Sequence, residues 1–370
     1  MNILRRLPLS RLLLLCGLVI AVGVSATALA SALGSAPTPP PKPLAAAVHD
    51  ALGAAPVEGF SANVTLTNHL VEGANLASGG NGEASQLSSS PLLSGASGRV
   101  WIAKDGRVRI ELQAEKGDTE IYYDGHTATL FDASTNAVYR YVAPSEGASK
   151  QPEASGETHE VPSLAKIEEA ITKLEKHANL IGATPSDVAG QPTYTVRVSP
   201  KESGSLIGGA ELSWDSNNGV PLRAAVYSST SSSPVIELAA TGEVSFGPVE
   251  ASVFEFKPPA GAKIQDVKLP EESSSSGGTP PSDGSSHPTV TKHGRGIGGV
   301  VVVEDKNARS GQKESSALPE GLPKVKINGQ SATELSTALG TLLTFERSGA
   351  RYVVGGFVAP STVEDVARGL

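Results

Sequence analysis

Seven histidines, at positions 49, 69, 126, 159, 177, 287 and 293, are the side chains of this 370-residue chain best suited to hold a metal or move a proton. A metal site needs several donors converging on one point, and no H-x-x-x-H pair or His/Asp/Glu cluster occurs. His126 follows Asp124-Gly125, where a turn explains it. A serine nucleophile needs the strained G-x-S-x-G elbow between a strand and a helix, which is absent. Ser205, in "SGSLIG", has neither element beside it. Glu168 and Glu169 fall in the first turn of an expected helix, where the helix dipole accounts for them without acid/base chemistry. "GRGIGGVVVV", Gly294 to Val303, places its glycines ahead of a strand, whereas a phosphate loop needs them between strand and helix. The single cysteine, Cys16, follows Leu15 inside an apolar run and lacks the small preceding residue of a lipid-attachment site. Without it the chain has no thiol, so neither a disulfide nor a thiolate metal site is expected. These residues imply no catalytic group, no metal and no cofactor.

In composition the chain is 39% hydrophobic but only 4% aromatic, with 40 glycines and 26 prolines gathered in Ser/Gly/Pro tracts. One or two cores joined by loops follow. The net charge is −8, and the only strongly basic stretch is the start, with Arg5, Arg6 and Arg11 ahead of an apolar run and A-x-A sites at Ala28 and Ala30. That start fits an export signal over residues 1–32, and its length also suits an uncleaved membrane anchor. Either way the bulk of the chain lies outside the cytoplasm. Its acidic balance disfavours nucleic acid and anionic membrane surfaces.

The elements follow from periodicity. A Pro-rich spacer (33–43) precedes a short amphipathic helix over 44–55 and a strand, "FSANVTLTNHLV". Residues 72–98 read as a polar insertion. "RVWIAKDGRVRIEL" and "TEIYYDGHTATLFDASTNAVYRYV" alternate apolar and polar residues around Asp-Gly and Ser-Thr-Asn turns, a four- or five-strand antiparallel meander. A polar stretch over 144–163 leads to "SLAKIEEAITKLEKHANL", a helix capped by Ser163 whose Ile167, Ile171 and Leu174 form a stripe in need of a sheet. Further alternating strands run through Tyr194, Leu212, Leu222, Ile236 and Val244 to "FEFKPPAGAKI", where two prolines must end a ladder. About ten strands and two helices make an α+β domain (44–268) dominated by one large curved antiparallel sheet. A Ser/Gly/Pro linker (269–294) follows, and then a small C-terminal α+β unit (295–370) of two strands, a hairpin turned at Ser348-Gly349 and a terminal helix. A polar loop (306–318) interrupts this unit.

Residues 44–264 resemble the LolA-type periplasmic lipoprotein carriers and their RseB/MucB-like and mycobacterial lipid-binding relatives, in an exported, actinobacterial-type form. The likeness rests on "RVRIELQAEKGDTEIYYDGHTATLFDASTNAVYRYV", "AGQPTYTVRVSPK", "AELSWDSNNGVPLRAAVYS" and "GEVSFGPVEASVFEFKPPAGAKI" in series. It implies a half-open β-barrel with helices plugging the concave side and an apolar cavity within. The candidate lining is Trp101, Ile110, Leu112, Tyr122, Phe131, Tyr194, Leu212, Trp214, Phe246 and Phe256, with Ile167, Ile171 and Leu174 as the helix plug. For Phe254 the expectation is packed core. The function implied is a non-enzymatic carrier for a lipid or the acyl chains of a lipoprotein. The alternative is a sensor or regulator on the same fold, bound to a membrane-anchored partner such as an anti-sigma factor.

Overall fold

The computed structural model describes residues 38–71, 91–115, 117–142, 161–267, 288–306, 318 and 321–370. The export signal, most of the 72–98 insertion, most of the polar stretch before the second helix, most of the linker and nearly all of the 306–318 loop lie outside them. Two compact units are formed, one within the chain up to Asp266, the other from Val267 onward together with Glu202–Leu206, Leu70 and Val71.

The first unit is a twelve-stranded sheet. Its strands are β1 (Gly59–Asn68), β2 (Ala96–Ala103), β3 (Val108–Ala114), β4 (Gly117–Tyr123), β5 (Thr127–Asp132), β6 (Ala137–Val142), β7 (Ala178–Val188), β8 (Gln191–Pro200), β9 (Ile207–Asp215), β10 (Pro221–Ser228), β11 (Pro234–Ser245) and β12 (Lys263–Asp266). They run in the order β12-β6-β5-β4-β3-β2-β1-β11-β10-β9-β8-β7. All pairings are antiparallel except β12, which lies parallel to β6. The meander forms where alternation and turn chemistry agree. The Asp124 carboxylate accepts the amides of His126 (2.8 Å) and Thr127 (2.6 Å), an Asx turn that also holds its pKa below the usual range. Gly106, at φ +90°, supplies the left-handed residue between β2 and β3.

Three helices accompany the sheet: α1 (Leu44–Gly53), the four-residue α2 (Pro91–Ser94) and α3 (Leu164–Leu174). The insertion expected over 72–98 therefore ends sooner, since α2 and the start of β2 fall inside it. α3 stops at Leu174, short of the expected end at Ala178, because the chain turns at Glu175 into β7, which pairs with β8. Ser163 occupies the cap position, but its hydroxyl makes no capping hydrogen bond; its carbonyl accepts the Lys166 and Ile167 amides instead.

The stretch "FEFKPPAGAKI" is not a strand end. The ladder finishes at Ser245, and Ala251–Phe254 is a single 3-10 turn. From there the chain crosses the outer face of the meander as a strap. Arg109 Nη1 donates to the Val253 carbonyl (3.0 Å), Phe254 lies 4.9 Å from the Arg107 guanidinium, and Phe256 packs on Tyr122 (5.0 Å) and Phe131 (6.2 Å). Beyond the two prolines the strap ends in β12, which lengthens the sheet beside β6. Alternation of two phenylalanines over three residues cannot separate a strand from such a strap.

The second unit is a six-stranded sheet, β13 (Thr289–His293), β14 (Val300–Asp305), β15 (Lys324–Ile327), β16 (Gln330–Ser336), β17 (Thr341–Arg347) and β18 (Ala350–Gly356), in the order β13-β14-β18-β17-β16-β15. Helix α4 (Pro360–Arg368) buries Val363 and Ala367 against Val300, Val302, Leu343 and Val354. β13 falls within the stretch whose composition reads as linker. Asn328-Gly329 and Ser348-Gly349 both have two positive φ values (49° and 83°, 52° and 78°), the backbone of tight hairpin turns.

The strap gives a stability test. Phe256→Ala removes a ring held between two others and should cost about 2 kcal/mol, below the roughly 3–5 kcal/mol of a fully enclosed phenylalanine. Phe254→Ala gives up one partly exposed cation–π contact, worth about 1 kcal/mol or less. Urea denaturation of the two variants should show that order; equal losses would mean that the strap is not anchored by Phe256.

Candidate functional site

Alternation assigns every strand residue to one of two faces. On one face Val188, from the last strand β7, shares a packed cluster with Phe60 of β1, Val100 of β2 and Leu112 of β3. Strands so far apart in the sheet order meet only inside a curl, so this face is concave. Among the described residues β7 and β12 are the two edges of the sheet and do not pair with each other, so the barrel is open.

The concave face has two halves. Over β7, β8 and β9 it is filled: α1 buries Ala45, Ala47 and Val48 against Tyr194, Val196, Val198, Leu212 and Trp214. The Tyr194 hydroxyl donates to the Pro40 carbonyl (2.7 Å). α3 adds buried Ile167 and half-buried Ile171 and Leu174 to this cluster and packs mainly on α1, so it is the outer layer of the plug.

Over the meander the same face carries two apolar rows. Cross-strand register aligns Val100, Ile110, Ile121, Leu130 and Tyr139 in one, and Ile102, Val108, Tyr123, Ala128 and Tyr141 in the other. Val100 is buried, but the remaining nine are half-buried. α2 covers only one end of this band, through Leu92. The band is a mostly apolar surface, half-exposed on the inside of a curled sheet, with the hydroxyls of Tyr123, Tyr139 and Tyr141 its polar groups, and it suits flexible apolar chains.

The opposite, convex face is polar over β8 to β11. Arg197 Nη1 donates to Glu211 (2.6 Å), Arg223 donates to Glu211 (2.7 Å) and Glu237 (2.5 Å), and the Tyr227 hydroxyl donates to Glu211 (2.7 Å). Burial alone would raise the Glu211 carboxyl, but hydrogen bonds from Arg223 and Tyr227 and the nearby guanidinium charges hold it below its ordinary value. Burial, reinforced by Glu211, raises Tyr227. Over the meander, Trp101 lies between the Arg99 (5.3 Å) and Arg109 (5.5 Å) guanidinium groups, and Arg109 also lies over Tyr122 (5.0 Å). Tyr122, raised first by burial and then by its bond to Glu120, is protonated there.

The ten candidate lining residues are thus split. Ile110, Leu112, Tyr194, Leu212 and Trp214 face inward, and Phe246 packs on inward-facing Phe60 (6.0 Å). Of these, Leu112, Tyr194, Leu212 and Trp214 are 1–3% exposed and belong to filled core. Trp101, Tyr122 and Phe131 face outward, and Phe256 lies with them under the strap. No single cavity can include both sets. Ile121, Leu130, Tyr139, Val108 and Tyr123 belong to the inner band with Ile110, and alternation within each strand, carried across the connecting turns, is the signal that could have found them. Among the remaining polar candidates, Ser205 Oγ donates to the Phe357 carbonyl (2.9 Å), and Glu169 pairs with Lys173 (2.6 Å). Among the described residues no three His, Cys, Asp or Glu side chains come together as metal ligands, and no helix is long and apolar enough to cross a membrane.

Residues 81–150, which contain the meander, match the family described as "Predicted periplasmic protein (DUF2092)". No curated protein matches the chain. Among solved structures it is similar to Pseudomonas aeruginosa MucB in its complex with MucA, at 15% identity over 87% of this chain and 96% of that one, with a TM-score of 0.41. A conserved protein from Thermus thermophilus aligns at 9% identity over 60% of this chain and 98% of its own (TM-score 0.34). A LolA superfamily protein from Nitrosomonas europaea aligns at 9% identity over 86% and 95%, with a TM-score of 0.18.

The Glu211 network carries a pH prediction. A carboxyl whose folded pKa is depressed adds stability above its unfolded value, 4.5 here, and loses it as pH falls through the folded value. Glu211→Gln should therefore cost about 2–3 kcal/mol at neutral pH, leaving Arg197 and Arg223 side by side, and the difference should shrink below about pH 4. Denaturation curves across pH would show it; a difference independent of pH would contradict the assignment.

Proposed function

We propose that this is an extracytoplasmic, non-enzymatic binding protein that holds the acyl chains of a lipid or lipoprotein on the inner band of its curled sheet. The observation that carries this reading is the pair of apolar rows through Ile110–Ile121–Leu130–Tyr139 and Val108–Tyr123–Ala128–Tyr141, half-exposed on a concave face whose other half is plugged. Nine apolar side chains left partly in water are a standing cost, and an acyl chain laid across them removes about 0.8 kcal/mol of it per buried methylene. The basic, apolar start of the chain and the match of residues 81–150 to a periplasmic family support a location outside the cytoplasmic membrane. In this reading Trp101, Tyr122, Phe131 and Phe256 brace the sheet from outside, and ligand contact falls to Ile110 and its row.

The test pairs lipid extraction and native mass spectrometry of the purified protein with a fluorescent fatty-acyl probe. Bound lipid or saturable probe binding is expected. Ile121→Glu and Leu130→Glu put a charge in the band, where partial exposure keeps it solvated. Each should weaken the probe by about tenfold or more while shifting the melting temperature little. Folded variants with unchanged affinity would overturn the reading. If the protein takes no acyl probe but retains a membrane protein through the same residues, the regulator expectation replaces the carrier.

A further inference from the structure

On the convex face, away from the apolar band, β1, β2, β3 and β11 line a shallow, open groove of about 390 Å³. Its walls are polar: Asn63 and Thr65 from β1, Ser97 and Arg99 from β2, Glu111 and Gln113 from β3, and Thr241 from β11. Three features distinguish it from an ordinary solvated sheet face. Thr241 is there because of a bulge, since β1 pairs Val64 with Ala240 but Asn63 with Gly242, leaving Thr241 outside the ladder. Glu243, just past the bulge, holds a left-handed backbone at φ +48° that a non-glycine residue rarely adopts, and Asn63 Nδ2 reaches its carboxylate at 3.4 Å. Arg99 is held in place by stacking on Trp101, yet among the described residues it has no ion-pair partner and its buried Nε has no acceptor.

The donors and acceptors identify the class of occupant. An anion needs donors only, and although Arg109 pairs with the Glu111 carboxylate in the wall, the Glu243 carboxylate beside it would repel one. A cation would meet Arg99. A neutral polyol needs both kinds of group close together, because each hydroxyl gives one hydrogen bond and takes others. The carboxamides of Asn63 and Gln113, the hydroxyls of Thr65, Ser97 and Thr241, and the Arg99 guanidinium supply both in one groove. We propose that this groove binds a neutral saccharide, with Arg99 and Gln113 as its principal hydrogen-bonding anchors.

The experiment titrates the intact, isotope-labelled protein with neutral oligosaccharides of N-acetylglucosamine, glucose α-1,4 and glucose β-1,4 units, with sulfate and phosphate as anion controls. At least one saccharide should shift the amides of Ser97, Arg99, Gln113 and Thr241, and Arg99→Met should weaken it about tenfold. Gln113→Ala, at an exposed position that does not threaten the fold, should weaken the same saccharide. Ile121→Glu in the apolar band should leave it unchanged, which separates this site from acyl-chain binding. Absence of shifts with all three saccharides would overturn the proposal, as would shifts that survive both groove variants or a response to sulfate or phosphate alone.

Discussion

A strand residue faces one side of its sheet and its neighbour the other, and a curled sheet makes those two sides unequal. That constraint organises the first unit. Along β3, Val108, Ile110 and Leu112 turn inward while Arg109, Glu111 and Gln113 turn outward, and the register carries the division across neighbouring strands. A slip of one residue would bring Arg109 and Glu111 inside and put the apolar rows in water. Both faces therefore guard the register: packed residues such as Leu112 within, and the Arg109–Trp101–Arg99 stack without.

Coverage is divided between the faces in a complementary way. Where α1 and α3 fill the concave side, over β7 to β9, the convex side is left to the Arg197–Glu211–Arg223–Glu237 network. Where the concave side stays partly open, over the meander, the strap from Ala251 onward covers part of the convex side, over β3 to β5, with Phe256. A sheet open on both faces would have little to keep it rigid. The strap lets the meander expose apolar rows inward while its outer surface is packed over β3 to β5, and Arg109, in contact with both the strap and the Trp101 ring, ties the two together.

Much of this is legible in the sequence because local signals agree. The meander combines strict alternation with Asp-Gly turns, and its strands lie where that pattern places them. β7 is hidden because "ANLIGATPSDV" contains Gly182 and Pro185 and continues a helical stripe through Leu180; its strand character comes from pairing with β8, a tertiary effect. β16 goes unread despite a readable signal, the Asn328-Gly329 turn within "KVKINGQSATEL". For the candidate site, aromatic identity misleads where parity does not. Trp101 stands between Val100 and Ile102, and Tyr122 between Ile121 and Tyr123, so alternation already puts both rings opposite the apolar rows. The strap lies beyond sequence reasoning, since no local pattern says which face a non-ladder segment will cross.

The central claim, that the inner band of the meander is the surface that takes apolar chains, is tested most directly by paramagnetic broadening. With Ile, Leu and Val methyls labelled, a doxyl-bearing fatty acid is added and methyl signals are compared with those under its reduced, diamagnetic form. The methyls of Ile110, Ile121 and Leu130 should broaden selectively, while those of Ile181 on the β7 edge and Ile264 on β12 stay sharp. Broadening confined to those edge residues or to the second unit, or none at all, would contradict the claim.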